Sequence, residues 1–294
     1  MAARMDDATD TGITTTHGEG LAPPYTLAAL WVVRHGQSTA NVAYAEAERT
    51  GSTLPLPGRG PDVPLSDLGR AQAGALGGWL AGLAGRRGAD GNGPDRASPD
   101  PANAELVGPD PVGPDLVVCS PYVRTRQTWE VMAGHPGVVP PPLLVDERLR
   151  DREMGVFEMH PPAAMRARAP EEAARRARTG DWSYRPPGGE ALSDVVLRVR
   201  DFVGELDRAA PGRRVLLIAH DAIAVAVRLV CAGVGATAPD RLPPVPNASV
   251  SWWENDGRRL RPARWGDTAH LDPPGPGGSP AAPATPATPA TPAR

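Results

Sequence analysis

The chain has no lysine, and its 31 basic residues are all arginines. Schiff-base chemistry through a lysine amine is therefore excluded, while planar forked donors for phosphate or carboxylate are plentiful. Cysteine is almost as scarce. Cys119 and Cys231 are too few for a disulfide framework and form neither a zinc knuckle nor a Cys-x-x-Cys pair, so both are expected as buried small hydrophobes. No apolar run reaches membrane-spanning length, and residues 1–20 are acidic and threonine-rich where a secretory leader is basic and then apolar. A cytoplasmic protein with no membrane partner is the expectation. A formal net charge of −3 offers no basic surplus to a polyanion, so nucleic acid is not expected as a partner.

Three stretches carry too little apolar area to offset the entropy of ordering them. Residues 1–27 read as a disordered tail, 273–294 as a disordered Pro/Ala/Thr tail, and 85–114, dense in Gly, Pro and Asp, as a low-complexity insertion. What is left, 28–272, is the length of one catalytic domain. Within it, short apolar runs at 30–33, 116–119, 143–145 and 215–219 are bounded by turn-forming or polar residues and read as strands. Helical patterns at 65–83, 122–132 and 223–231 follow three of them. A longer helix over 192–209 places Val195, Val196, Val199, Phe202, Val203 and Leu206 on one stripe, and 248–253 reads as an edge strand. Strands alternating with helices specify the α/β class: a three-layer sandwich with a mostly parallel central sheet and helices on both faces. Trp252 and Trp253 are neighbours on a strand and so face opposite sides, one toward the core and one toward the surface, which argues against a base-stacking pair. No heptad or exposed apolar stripe specifies an oligomeric state.

In open α/β sheets the ligand crevice lies beyond the carboxyl ends of the strands. Three runs here end in polar residues: 30–33 in Arg34-His35-Gly36-Gln37-Ser38, 116–119 in Ser120-Pro121-Tyr122-Val123-Arg124, and 215–219 in His220. Two arginines and two histidines can thus converge. Such a set suits a phosphoryl group, whose charge stays on peripheral oxygens and calls for several fixed donors. A neutral imidazole is a competent nucleophile near pH 7, so His35 can attack phosphorus, and Gly36 lets the backbone approach the anion at the start of the following helix.

Arg34-His35-Gly36-Gln37-Ser38, with Asn41 six residues after the histidine, resembles the signature of the histidine phosphatase superfamily, which includes the cofactor-dependent phosphoglycerate mutases. Supporting blocks follow in the family's order: Ser120-Pro121-Tyr122-Val123-Arg124-Thr125-Arg126-Gln127-Thr128, then Leu149-Arg150-Asp151-Arg152-Glu153-Met154-Gly155, Pro187-Gly188-Gly189-Glu190 and His220. The resemblance covers residues 30–253. It implies a phosphoglycerate mutase-like fold and a histidine acid phosphatase-type monoester hydrolase that needs no metal and no cofactor. By the same resemblance His35 is the phosphorylated nucleophile, Arg34, Arg124 and His220 hold the phosphoryl group, and Asn41 lines the pocket with Ser38. The partner is a small phosphorylated substrate.

The family's proton donor is usually Glu, and its position falls on Asp151, with Glu153 as the weaker candidate. Asp221 follows His220 where the family commonly has Gly; turned inward it repels an anion, turned otherwise it orients His220. Residues 156–189 are expected to build the wall over the pocket. Their arginines form a solvated helix face, whereas Trp182, Tyr184 and Arg185 are candidates for contacting the leaving group. The other histidines, His17, His135, His160 and His270, are read as solvent-facing, and no metal motif emerges from them. A mutase-type phosphotransferase and a non-catalytic phosphoryl-binding protein remain as alternatives.

Overall fold

Six consecutive residues, Ala29–Arg34, form β1, and all but the last are buried. A strand buried on both faces must be covered on both. In the computed structural model, which describes residues 21–85 and 113–272, β1 is flanked by parallel β4 (Arg214–Ala219) and antiparallel β5 (Val250–Asn255). β4 in turn pairs in parallel with β2 (Leu116–Cys119), and β2 with β3 (Leu143–Val145). β6 (Leu260–Asp267) closes the other edge antiparallel to β5. The order is β3-β2-β4-β1-β5-β6, a mostly parallel sheet with an antiparallel hairpin at one edge.

Side chains alternate along each strand and so sort into two layers. Leu30, Val32, Val118, Val215 and Leu217 pack under α6 (Leu192–Ala209) and α7 (Asp221–Ala232). Trp31, Val33, Val117, Cys119, Leu216 and Ile218 face α2 (Asp67–Gly85) and α3 (Val123–Ala133). α6 buries Val195, Val199, Phe202, Val203 and Leu206, the stripe its sequence predicts, with Val196 only partly covered. Trp253 and Trp252 divide between the two layers, but Trp252 is partly buried under the Arg264 guanidinium, 6.0 Å away, rather than a plain surface residue. Cys119 and Cys231 are free and buried as expected. Among the described residues no helix is long and apolar enough to cross a membrane.

Two features depart from expectation, and a third, α1, was expected only by its start. The tail expected over 1–27 yields residues 21–27 to the fold: Tyr25 and Leu27 are buried, and the amides of Thr26 and Leu27 donate to Asp207 Oδ1 at 2.6 and 2.9 Å. Single anchors of this kind leave no period in the sequence. Residues 1–20, the 273–294 tail and 86–112 of the insertion lie outside the described residues. β6 was not expected either, because Pro262 in its middle breaks the strand pattern and is tolerated on an edge; the strand expected at the edge over 248–253 is instead β5, paired on both sides. Finally, α1 (Thr39–Thr50) follows β1, held by a reciprocal cap in which Asn41 N donates to Ser38 Oγ and Ser38 N to Asn41 Oδ1. It has one buried residue, Ala47, and hence almost no apolar stripe to read.

Candidate active site

β2, β4 and β1 are adjacent and parallel, so their carboxyl ends open on the same edge of the sheet. β1 runs directly into His35, whose amide continues the ladder by donating to Ala219 O at 3.0 Å. β4 runs into His220, which caps α7. β2 runs into Ser120 and the first turn of α3, which carries Arg124. Thr128 on α3 accepts the Gly36 amide at 3.1 Å and so fixes the chain just after His35. Gly36 is required by a close crossing: a methyl there would lie 2.4 Å from Gly69 O, and one on Gly69 1.9 Å from Gln37 O.

Arg124 is the hub. Its Nε donates to His35 Nε2 at 3.0 Å, Nη1 to Gly60 O at 2.7 Å and Nη2 to Asp151 Oδ2 at 2.8 Å. The same Nη2 lies 3.3 Å from His220 Nδ1, and Asp151 Oδ2 lies 3.4 Å from that nitrogen. The two imidazole rings stand edge to face with centroids 5.2 Å apart. Arg34 sends Nη1 to Val245 O and Nη2 to Asp221 Oδ2, 3.3 Å away, and its buried Nε has no partner among the described residues. Asp221 thus neither faces the cluster as a lone charge nor holds His220; it braces Arg34.

The partners assign the tautomer of His35. Its Nδ1 is 2.7 Å from Gly36 O, an acceptor, so Nδ1 carries the proton and Nε2 presents a lone pair toward Arg124. His35 is 3 % exposed and His220 fully buried. Burial, followed by the charges on its neighbours, holds each imidazole well below the ordinary range, so both are neutral at pH 7. For His35 the neighbours are His220, Arg124 and Arg34; for His220 they are Arg124, Arg34 and Arg198. A neutral ring with its lone pair among guanidinium groups is equipped to meet an electrophile that carries negative oxygens.

Of the residues singled out from the sequence, the structure brings together Arg34, His35, Arg124, Asp151 and His220. Asn41 and Ser38 adjoin the cluster as the α1 cap, and Asn247, which the sequence did not suggest, ties Asn41 Oδ1 to His35 O through Nδ2 at 3.2 Å to each. Arg185 is not brought in. It is 62 % exposed and bonded to Asp194 at the start of α6. Tyr184 points inward, fully buried, with its hydroxyl on Glu172 at 2.9 Å. It anchors α5 (Pro170–Ser183), which with α4 (Pro162–Arg168) forms the segment over 156–189. Glu153 is turned toward Arg150 at 3.3 Å. The three described histidines expected in solvent are each partly buried, His270 with Nε2 3.0 Å from Ala248 O.

Sequence reasoning also missed Ser120, Tyr122 and Glu158. Ser120 Oγ is 2.8 Å from His220 Nε2, and the Tyr122 ring lies 5.1 Å from that of His220 and 4.8 Å from the Arg124 guanidinium carbon. Both stand inside the Ser-Pro-Tyr block, a signal that was present but given no role.

A three-layer α/β fold with two neutral histidines and two arginines at the carboxyl edge of its sheet defines a class of phosphoryl-group sites. The chain matches the pattern of the histidine phosphatase superfamily (branch 1) over residues 30–87 and 104–268, and it belongs to that family. It is 28 % identical over 181 residues to fructose-2,6-bisphosphatase TIGAR of Xenopus tropicalis, a match covering 61 % of this chain and half the length of that relative. It is likewise 28 % identical over 164 residues, 54 % of this chain and 74 % of the other, to a probable phosphoglycerate mutase GpmB of Enterobacter sp. (strain 638). Among solved structures, a mycobacterial glucosyl-3-phosphoglycerate phosphatase in complex with VO3 superposes with a TM-score of 0.59 at 26 % identity, covering 82 % of this chain and 99 % of that one. Bacillus stearothermophilus YhfR shares the fold, with a TM-score of 0.61 at 22 % identity over 83 % of this chain and 99 % of its own.

Proposed function

We propose that the protein hydrolyses phosphate monoesters without a metal, through a phosphohistidine on His35. The observation that carries this is the His35 Nε2 lone pair held beside the Arg124 guanidinium, whose other nitrogens meet Asp151 and His220. When an ester enters, the Arg124 Nε–H turns from His35 to a phosphoryl oxygen, and the buried, unpartnered Arg34 Nε supplies a further donor. Asp151 takes the proton of a monoanionic ester as the phosphoryl oxygens displace it from Arg124; Nε2 attacks phosphorus as the bond to the leaving oxygen breaks, and the Asp151 carboxyl gives that oxygen its proton. The carboxylate so formed takes a proton from water, whose oxygen attacks phosphorus and breaks the bond to Nε2, releasing phosphate together with that proton and restoring the starting state. Asp151, not Glu153, takes this role because only its oxygen touches both Arg124 and His220.

The test is p-nitrophenyl phosphate turnover by the chelator-treated full chain, beside His35→Ala and Asp151→Asn. The wild type is expected to turn over and to form an acid-labile phosphoenzyme. His35→Ala should do neither, and Asp151→Asn, assayed in parallel on glycerol 1-phosphate, whose leaving alcohol needs a proton, should lose about 10²-fold or more of that rate and much less on p-nitrophenyl phosphate. Unchanged hydrolysis by His35→Ala overturns the proposal. Conversion of 3-phosphoglycerate to its isomer without phosphate release would replace it with a mutase, and tight phosphate binding without turnover with a binding protein.

A further inference from the structure

Beside the cluster lies a cavity of about 420 Å³ between the 55–61 loop and the turn at 158–160, lined among others by Leu56, Gly60, Pro61, Glu158 and Met159. Gly60 joins the two spaces, since its carbonyl takes Arg124 Nη1 at 2.7 Å. A leaving group attached to a phosphoryl at Arg124 has this cavity next to it. Its lining carries two charged side chains, Glu158 in the wall and the exposed Arg59 at the rim.

Glu158 is held there by its surroundings rather than left to sway. Its Oε2 accepts the Met154 amide at 3.2 Å. Its Oε1 lies against Gly60 so closely that a methyl on that residue would sit 2.2 Å away. The chain then reverses at Met159, a non-glycine at φ 57 whose carbonyl accepts the Leu56 amide at 2.7 Å. A left-handed non-glycine costs energy, and persists only where its surroundings over-determine it. Burial raises the Glu158 carboxyl above its ordinary range, and the Met154 amide and Arg124 oppose that shift; burial, then Glu158 and Asp151, push the Tyr44 phenol up to about 12, and burial, then Asp151 and Glu158, do the same to Tyr122.

The neighbouring cations are already engaged. Arg124 holds Asp151, Arg34 holds Asp221, and Arg150 is shared by Glu190 and Glu153. Arg59, on the rim of the cavity, is 79 % exposed and lies 3.7 Å from Asp62. A phosphoryl group is met by the donors of Arg124 and Arg34, whereas a second anion a few ångströms further on meets the Glu158 carboxylate, with the solvent-screened Arg59 as the cation left at the rim.

We propose that Glu158 sets charge selectivity: the protein takes phosphomonoesters whose leaving group is neutral or cationic, such as polyol phosphates, and discriminates against esters that carry a second anion near the phosphate. This rests on the phosphatase reading above and deepens it. Glycerol 1-phosphate and 3-phosphoglycerate make the comparison, since they share a three-carbon skeleton and differ in a carboxylate. Wild type is expected to favour glycerol 1-phosphate by about tenfold in kcat/KM, the factor a like charge about 6 Å away gives in a half-shielded site. Glu158→Gln, which keeps the acceptor for Met154, should collapse that ratio toward one. Raising salt should narrow the wild-type ratio and leave the variant's flat.

The same pair is titrated by calorimetry into His35→Ala and His35→Ala/Glu158→Gln, where the preference is read without turnover. Absence of p-nitrophenyl phosphate hydrolysis by wild type would sink the hydrolase reading alone, and the binding ratio would still decide the role of Glu158. A wild-type preference for 3-phosphoglycerate, or a ratio that Glu158→Gln leaves unmoved, overturns the inference.

Discussion

At the scale of single residues, the nucleophile's protonation is the sharpest consequence of the packing. Burial and the adjoining His220, Arg124 and Arg34 all disfavour a proton on His35, and only the Gly36 carbonyl opposes them. Attack needs the lone pair, so activity is lost as pH falls through the folded-state pKa of His35, which lies below 6.5. The acid limb of kcat/KM for p-nitrophenyl phosphate is therefore expected well under pH 6.5, with full activity at 6.5; a limb centred at or above that value would contradict the burial argument. Arg34, His35, Arg124 and His220 were legible in the sequence because each stands at or just past the end of an apolar run, where the sheet geometry fixes their meeting. Glu158 and Asn247 were not, since their place depends on turns that bring distant segments together. Arg185 misled for a related reason: an arginine near the pocket wall carries no local mark of the carboxylate it will find, here Asp194.

Among elements, the crossing of the β1–α1 link over the start of α2 holds His35 in place. Gly69 has backbone on both sides of the contact, so a methyl 1.9 Å from Gln37 O cannot be relieved by turning a side chain. Gly69→Ala is expected to cost about 1–3 kcal/mol through overpacking and to lower turnover by displacing the His35 turn. Gly74→Ala, on the same helix with no atom within 4 Å of the added methyl, should instead gain about 0.5–1 kcal/mol from helix propensity. Urea unfolding of the two variants checks the opposite signs, and equal effects would remove the crossing from the account. The sequence announced α2, α3, α6 and α7 through apolar runs or stripes that face the sheet. It announced a helix start after Gly36 but not the extent of α1, which is held by the Ser38–Asn41 cap and not by an apolar face, and it was silent on β6, whose proline is acceptable because no strand lies beyond it among the described residues.

For the whole molecule, placing two imidazoles in one buried cluster makes stability depend on pH in a window of its own. Both His35 and His220 have folded-state pKa values depressed below 6.5 by burial and by positive neighbours. Above pH 6.5 both are neutral whether folded or not, and their contribution is fully present. As pH falls below 6.5 the unfolded chain takes up protons that the folded one refuses, so stability drops by up to about 1.4 kcal/mol per pH unit for each histidine until its folded pKa is reached. Carboxylates held down by arginine, such as Asp146, Asp194 and Glu190, lose their contribution only nearer pH 4 and below, and Glu158, which burial raises, gains rather than loses as pH falls, which leaves a fall between 6.5 and 5 to the imidazoles. Urea unfolding at half-unit steps between pH 7.5 and 5 should show a flat upper region and then a fall. In His220→Gln the fall should be shallower by roughly a third to a half, because His35 remains and His270, which burial also holds below the ordinary range, adds its own smaller contribution. An unchanged slope in the variant would mean that the proton-linked loss arises outside the cluster, and that the two rings are not the shared neutral core on which the chemistry of this site depends.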